Sequence, residues 1–267
     1  MAMKIIELMK EKKGVLIGMV HTLPLPGTIN YGGSMDAIVE KAISDAMTLE
    51  AAGFDGVLVE STLDRPMGMK RGLVQHAAMS VICGAVHRAV SIPMGLSYMT
   101  EDCKDMFSIA QASGADFVRI TAFVDTVRFP VGVVYPCAVR AWEVRRDGDM
   151  KDIAVLADIQ VKHAEMVNPQ VTLEQSAYYA QAQGADAIIV TGNATGEETP
   201  LETIQRVSRK VKLPVVVGSG VTAGNLKAQM AYASGFIVGS SVKANGNLAA
   251  PVDLQLAKVL VDAKNAE

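Results

Sequence analysis

Eight short apolar runs, spaced along the whole chain, are the feature that most restricts its possible folds. Each run has the length of a β-strand and is rich in valine and isoleucine. Segments whose apolar residues have helical spacing lie between the runs, as at Ile38, Ala42, Ala46 and Leu49. The runs cover residues 15–21, 56–61, 93–98, 117–122, 153–163, 187–192, 214–221 and 235–242.

This alternation of strand and helix predicts a parallel sheet, and eight such units in 267 residues match a (β/α)8, or TIM, barrel. Four of the connections from a helix to the next strand contain a glycine, which is typical of a left-handed helix cap. They are AAGFDG, ASGADF, AQGADA and ASGFIV. We therefore expect an α/β fold with one TIM-barrel domain over residues 1–267. A doubly wound sheet shares the alternation and is the alternative.

Two segments fall outside the eight units. The first, MAMKIIELMKEKKG (1–14), predicts a short amphipathic N-terminal helix. The second is the stretch of thirty residues between Ala122 and Ile153, in which Ala138 to Arg146 predicts a helix. The part before that helix is then a long loop after the fourth strand. Such loops often serve as lids or binding loops, and packing against a neighbouring subunit is the alternative.

Composition excludes several classes of protein. The chain is 50% hydrophobic and 20% charged, with a net charge of −3 and no basic block, so we expect no nucleic-acid partner. No apolar run approaches the roughly 20 residues of a membrane span, and the N-terminus lacks the apolar core of a signal peptide. Three cysteines without a CxxC motif favour a reducing compartment. We expect a cytoplasmic protein.

The last two strands each end in a glycine–serine step. Gly218, Ser219 and Gly220 lie at the end of the seventh run, and Gly239, Ser240 and Ser241 lie at the end of the eighth. In TIM barrels the loops after these two strands frequently bind phosphate. Glycine lets backbone N–H groups approach an anion closely, and serine adds hydroxyl donors. We therefore predict a phosphate site formed by these six residues; the alternative is that the glycines only end the strands.

Charged residues lie at the ends of other strands. Since alternate residues of a strand face opposite sides, Asp158, Gln160 and Lys162 of the fifth run are predicted to point into the barrel mouth. Arg119 has the same orientation in the fourth run. Charges inside a barrel are costly unless they are paired, so they predict an active site at the mouth. A structural ion-pair network, such as Asp158 with Arg119, is the alternative.

His21 and Glu60 close the first and second runs and join the candidate catalytic group. Asp158 and Lys162 are candidates for acid and base, because burial shifts carboxyl and ammonium groups towards neutral pKa values. Lys162 is also a candidate for Schiff-base formation. The residue types would suit a metal, but they lack any local ligand spacing, so neither a metal nor another cofactor is expected.

Several motifs resemble the BtpA/SgcQ family, and the resemblance covers nearly the whole chain. They are GMVHTLPLPG (18–27), LDRP (63–66), ADIQVKH (157–163), VTGNATGEETP (190–200) and GSGVTAGN (218–225). The resemblance implies a barrel of the ribulose-phosphate-binding type. One branch of that family is named for photosystem I biogenesis in cyanobacteria, as an extrinsic thylakoid protein. Another branch lies among sugar-metabolism genes and carries a nucleosidase label.

The match to the family motifs adds one candidate and shows two departures. Asp64 joins the candidate catalytic residues through the LDRP motif. Ser61 stands where the family pattern suggests asparagine, and Gln160 stands where histidine is usual. Both positions are predicted to lie in the mouth, so the departures predict an altered substrate or altered chemistry within the family.

Two functions remain open from the sequence. The first is an enzyme, a nucleosidase, lyase or isomerase, acting on a phosphorylated sugar or nucleotide-like metabolite. The second is a non-catalytic assembly or stabilising factor that uses the barrel as a scaffold. The segment 72–90 is apolar on more than one helical face, which favours a homo-oligomer.

Overall fold

The computed structural model describes residues 3–192, 194 and 196–266, and within them eight parallel strands close into a barrel. Each strand pairs with the next barrel strand along the chain, and the last pairs with the first. The closed sheet confirms the TIM barrel and excludes the doubly wound alternative. The strands are β1 (Val15–His21), β2 (Gly56–Glu60), β3 (Met94–Ser97), β4 (Phe117–Ile120), β7 (Ala154–Asp158), β9 (Ala187–Val190), β10 (Val215–Val217) and β11 (Gly235–Val238).

A helix follows each barrel strand and packs on the outside. Three of the predicted glycine caps, Gly53, Gly114 and Gly184, have positive φ, whereas Gly235 lies inside β11 and leaves room for Met9. The outer helices are α2 (Met35–Ala52), α3 (Leu73–Ala89), α4 (Cys103–Ser113), α5 (Ala138–Asp147), α6 (Leu173–Ala182), α7 (Leu201–Lys210), α8 (Leu226–Gln229) and α9 (Leu254–Asn265).

The predicted N-terminal helix is α1 (Lys4–Glu11), and it closes the amino-terminal end of the barrel. Its apolar side, Ile5, Ile6 and Met9, is buried in one cluster with inward-facing strand residues such as Phe117 and Leu156. The interior of the amino-terminal end, here called the base, is therefore filled by apolar side chains.

The long segment after β4 is more ordered than a loop. It forms a hairpin of β5 (Val127–Phe129) and β6 (Gly132–Val134), and β5 also pairs with β8 (Glu165–Met166). The helix predicted at 138–146 is present as α5. The hairpin stands beside the carboxyl ends of the barrel strands, where its tip contributes to the cavity described below.

One detail of the sequence prediction is wrong. The fifth barrel strand ends at Asp158 rather than at residue 163, because Gln160 and His163 have φ values of 45° and 62°. In α3 the apolar residues Leu73 and Val81 are 85% and 56% exposed, while Met79 and Ile82 are buried, so the homo-oligomer stays a prediction. In the described residues, no helix is both long enough and apolar enough to cross a membrane.

Candidate functional site

A cavity of about 290 Å³ opens at the carboxyl ends of the barrel strands, and we call it the mouth cavity. Its volume lies at the lower end of the range for ligand sites, so it suits a small metabolite. It brings together nearly all of the predicted catalytic and phosphate-binding residues. Of these, the wall contains His21, Glu60, Arg119, Lys162, Gly218, Ser219, Gly220, Gly239, Ser240 and Ser241.

Arg119 and Asp158 form a buried ion pair. Arg119 donates from Nε to Oδ2 of Asp158 at 2.8 Å and from Nη2 to Oδ1 at 3.0 Å. Burial opposes the charge of Arg119, but Asp158 outweighs it and raises the pKa of Arg119 above its usual range. Asp158 lies below the cavity wall with both oxygens engaged. The ion pair that the sequence left as an alternative is therefore present.

Lys162 reaches the mouth cavity from the loop after β7. Its backbone N–H donates to Oγ1 of Thr191 at 3.2 Å, which holds the loop against the next strand end. Burial and the nearby charge of Arg119 lower the pKa of Lys162 to about 8, although Asp158 and Glu60 oppose the shift. A measurable fraction of Lys162 is thus unprotonated near neutral pH, as a proton-transferring group requires.

Gln160 does not point into the mouth cavity, contrary to the prediction. Its side chain donates to the carbonyl of Val171 at 3.0 Å, and its backbone N–H donates to Oδ2 of Asp125 at 2.8 Å. The positive φ at this residue ends the strand alternation on which the prediction depended. Ser61 is buried and also lies outside the wall of the cavity. The two departures from the family pattern therefore do not contact the cavity.

Glu60 and His21 lie side by side at the ends of β2 and β1. Ser97, which the sequence analysis missed, donates to Oε1 of Glu60 at 2.7 Å. Nε2 of His21 is 3.9 Å from Oε2 of Glu60, which is too far for a hydrogen bond. Nδ1 of His21 is buried, and no described residue bonds to it.

The environment keeps His21 neutral. Burial, followed by the charges of Lys243 and Lys41, lowers the pKa of His21 to about 3. At physiological pH the imidazole therefore carries one N–H donor and one acceptor and no charge. The imidazole therefore cannot act there as a cationic acid.

Asp64 lies away from the mouth cavity. Its carboxylate accepts from the backbone N–H of Leu25 at 2.8 Å and from Nη1 of Arg71 at 2.8 Å, and it is fully buried. It thereby joins the loop after β1 to the loop after β2. This contact gives a physical reason for the co-occurrence of the PLPG and LDRP motifs.

The two glycine–serine turns differ in their internal bonding. The hydroxyl of Ser219 accepts from the N–H of Gly192 at 3.0 Å and donates to the carbonyl of Glu197 at 3.2 Å, so it is engaged within the protein. A Cβ on Gly220 would lie 2.1 Å from that same carbonyl oxygen. Packing against the preceding loop alone therefore requires glycine at position 220.

The turns after β10 and β11 retain unpaired donors. Within the described part of the chain, no acceptor pairs with the backbone N–H groups of Gly220, Ser240 or Ser241. Gly239 borders His21, since a Cβ at 239 would lie 3.2 Å from Cε1 of the imidazole. The residues with free N–H groups and the neutral imidazole thus line one cavity, which is suited to an anion or a polar ligand.

The apolar part of the wall was not identified from the sequence. Phe129, Pro130 and Val131 reach it from the tip of the hairpin, and Met67 and Met99 reach it from the loops after β2 and β3. The only sequence signal was the length of the segment after the fourth strand.

In the described ranges, no group of three or more His, Cys, Asp or Glu side chains is placed to hold a metal ion.

Comparison with known sequences identifies a family. The sequence model of the BtpA family matches residues 11–266. An uncharacterized protein of Pyrococcus furiosus is 41% identical over 257 residues, which is 95% of this chain and 96% of that protein. Photosystem I biogenesis protein BtpA of Synechocystis is 33% identical over 241 residues, covering 89% of this chain and 83% of the relative.

Solved structures with the same fold have much lower sequence identity. (S)-3-O-geranylgeranylglyceryl phosphate synthase of Thermoplasma acidophilum, in complex with sn-glycerol-1-phosphate, superposes with a TM-score of 0.66 at 15% identity and 98% coverage of both chains. Thiamine phosphate pyrophosphorylase of Pyrococcus furiosus gives 0.59 at 14% identity, covering 94% of this chain and 96% of that one. At such identities the similarity establishes the fold alone.

Proposed function

The chain belongs to the BtpA family, and from this premise we propose that it is an enzyme acting on a small phosphorylated sugar or nucleotide-like metabolite. One observation carries the proposal. A single cavity combines unpaired backbone N–H groups with Lys162, whose pKa is lowered to about 8, and with an arginine held rigidly by a buried carboxylate. Anion donors and a proton-transferring group in one cavity are what such a reaction needs.

The phosphate is assigned to the turns after β10 and β11. Ser240 and Ser241 supply free N–H groups, and Gly239 keeps the approach open. Gly218, Ser219 and Gly220 form the facing turn, with Gly220 contributing its N–H. Two structural neighbours are named for phosphorylated compounds, which supports the assignment by analogy of fold.

Lys162 is assigned as the acid–base group. Its lowered pKa leaves both protonation states populated near neutral pH, so it can accept a proton from a substrate carbon or hydroxyl group and return it. The charge of Arg119 lies nearby and would stabilise negative charge that develops on the substrate. Glu60, oriented by Ser97, is the second proton carrier, and neutral His21 donates or accepts one hydrogen bond.

Asp158 and Asp64 have supporting roles in this proposal. Asp158 fixes the orientation of Arg119 through two hydrogen bonds, because both of its oxygens are occupied. Asp64 holds two mouth loops together through Leu25 and Arg71. Neither carboxylate lies in the wall of the mouth cavity, so neither is assigned to the chemical step.

Thermal unfolding against a panel of ligands tests the proposal. The panel contains inorganic phosphate, sugar phosphates and nucleoside monophosphates, each with its unphosphorylated counterpart. A ligand that binds only the folded state stabilises it by about 2.7 kcal/mol at a hundredfold excess over its Kd. For a domain of this size that corresponds to a rise in Tm of roughly 5 °C. We expect such a rise with at least one phosphorylated compound and none with its counterpart.

A matched pair of variants locates the binding site. Gly239→Asp, used as a variant that still folds, places a carboxylate beside His21, where a Cβ would lie 3.2 Å from Cε1 of the imidazole. Gly32→Asp makes the same change in charge at an exposed position where a Cβ meets nothing within 4 Å. The shift in Tm should vanish in the first variant and persist in the second. Absence of any shift in the parent protein would favour the scaffold role.

A further inference from the structure

Below the turn after β11 lies a buried lysine that the proposed chemistry does not use. Lys243 follows Ser241 by two residues, and its side chain is 0% exposed. Its backbone N–H donates to the carbonyl of Ser240 at 3.1 Å and so closes the turn. A fully buried ammonium group is costly unless it is paired, so its partners are informative.

Nζ of Lys243 makes three contacts. It donates to the carbonyl oxygens of Ala250 at 2.9 Å and Leu248 at 3.1 Å, and it lies 3.3 Å from Oδ2 of Asp45. Asp45 is on α2, 198 residues away in sequence, and is 1% exposed. Lys243 lies near the start of the segment 240–252, and its ammonium group contacts carbonyl oxygens near the end of that segment. Through Asp45 it therefore links both ends of the segment to α2.

Asp45 also connects this segment to the first barrel strand. Its Oδ1 accepts from the N–H of Val252 at 2.8 Å, and its Oδ2 accepts from Nζ of Lys41 at 2.8 Å. Lys41 in turn donates to the carbonyl of His21 at 3.2 Å. One buried carboxylate thus fixes the turn after β11 relative to His21, and these are the two parts of the cavity that face each other.

The cluster of Lys41, Asp45 and Lys243 holds two cations and one anion. A second cluster with the same composition lies at the base, where Asp55 pairs with Lys12 and Lys264. There Lys12 is 44% exposed, so water solvates the excess positive charge. Beneath the mouth cavity, by contrast, both lysines are largely buried, and a bound anion would balance the excess charge.

We propose that Lys243 is the positioning residue of the anion-binding turn: through Asp45 it holds Gly239–Val242 in the conformation that presents the N–H groups of Ser240 and Ser241 to a phosphate. This inference rests on the proposed function, because it assigns a determinant to the same phosphate site. It predicts that affinity for phosphate depends on Lys243 independently of the stability of the fold.

Binding measurements on three variants test this assignment. Lys243→Met removes the ammonium group. Asp45→Asn with Lys243→Met removes both charges, so that no carboxylate is left buried with too few partners. Lys264→Met removes the corresponding lysine at the base and is the control. The probes are inorganic phosphate and glycerol 1-phosphate, and their Kd values are measured by calorimetry at pH 7, with stability measured in parallel by urea unfolding.

We expect Lys243→Met to weaken binding at least tenfold. The double variant should regain stability without regaining affinity, and Lys264→Met should bind within twofold of the parent protein. A double variant that binds as tightly as the parent would overturn the proposal, since Lys243 would then serve stability alone. This outcome remains measurable even if the single variant does not fold.

Hydrogen exchange separates this inference from the proposed function. If the parent protein binds neither probe, the phosphate assignment fails, and exchange at residues 239–242 still reports on positioning. Faster exchange there in the double variant than in Lys264→Met supports the role of Lys243 in ordering the turn. Equal exchange in the two variants contradicts it.

Discussion

The two ends of the barrel are built from the same strands but have opposite chemistry. In β4, Phe117 fills the base and Arg119, two residues later, reaches the mouth. In β7, Leu156 lies in the base and Asp158, two residues later, binds Arg119. Below this boundary, α1 seals an apolar core. Above it, the same inward-facing positions carry charges that must be paired or left beside a cavity. One step along a strand therefore separates residues that stabilise the fold from residues available for function.

The same contrast appears in the lysine–aspartate clusters. The cluster of Asp55 at the base has an exposed lysine, whereas the cluster of Asp45 below the mouth buries Lys243 completely. Partly exposed ion pairs contribute little to stability, because water already solvates the charges. Burying the same charges is costly, and the cost is located beneath the proposed phosphate site.

Phenylalanine-to-alanine substitutions at the two ends of the barrel test the contrast between base and mouth. They have the largest expected effect on the free energy of unfolding. Phe117→Ala at the base should lower the free energy of unfolding by about 3–5 kcal/mol, because the ring is fully buried and fills the space beside Gly95. Phe129→Ala at the rim of the mouth cavity should cost about 1 kcal/mol or less, since its ring is half-buried. Urea unfolding measures the free energy of unfolding of both variants. Equal losses of stability would argue against the contrast between base and mouth.

Removal of the charge of Lys162 at the mouth should change the free energy of unfolding by less than Phe117→Ala does, and should raise it. Lys162 has a pKa of about 8 in the folded state, whereas an unfolded lysine has about 10.4. Below pH 8 the folded protein must retain a partly desolvated charge, so this lysine lowers stability. Lys162→Met should therefore raise the free energy of unfolding by about 1–2 kcal/mol at pH 7, after allowance for partial exposure.

The pH dependence supplies the control for this variant. Between pH 8 and 10.4 the unfolded state binds more protons than the folded state, so the penalty from Lys162 declines as pH rises. The difference between Lys162→Met and the parent should shrink over that window. Lys13→Met at an exposed position should change stability by less than about 0.5 kcal/mol at any pH. If Lys162→Met raised the free energy of unfolding by the same amount at every pH, the cause would instead be improved packing.

The smallest expected effect concerns the protonation of His21. Because its folded pKa is about 3, its ¹⁵N chemical shifts should stay constant between pH 5 and 8, with the signal assigned from a His21→Gln spectrum. Between pH 6.5 and 3 the unfolded state binds a proton that the folded state excludes, so His21 lowers stability as pH falls. A titration midpoint near pH 6.5 would contradict the neutral, buried imidazole.

Much of the site was predictable where regular strand geometry continues to the residue concerned. Arg119, Glu60 and His21 face the mouth because each lies in a strand or at its last residue, so alternation determines its side. Gln160 broke the same rule, because a positive φ two residues after the end of β7 turned the chain. Lys162 reaches the mouth cavity through the path of that loop, which alternation does not determine.

The sequence by itself determined the barrel and the positions of the charges at the strand ends, because these follow from local periodicity repeated eight times. Only the tertiary structure decided which charges are paired. Asp158 is bound to Arg119, and Asp45 meets Lys243 across 198 residues, a contact that no local pattern records. Burial and pairing set the pKa of each group, and both depend on neighbours brought together only when the barrel closes.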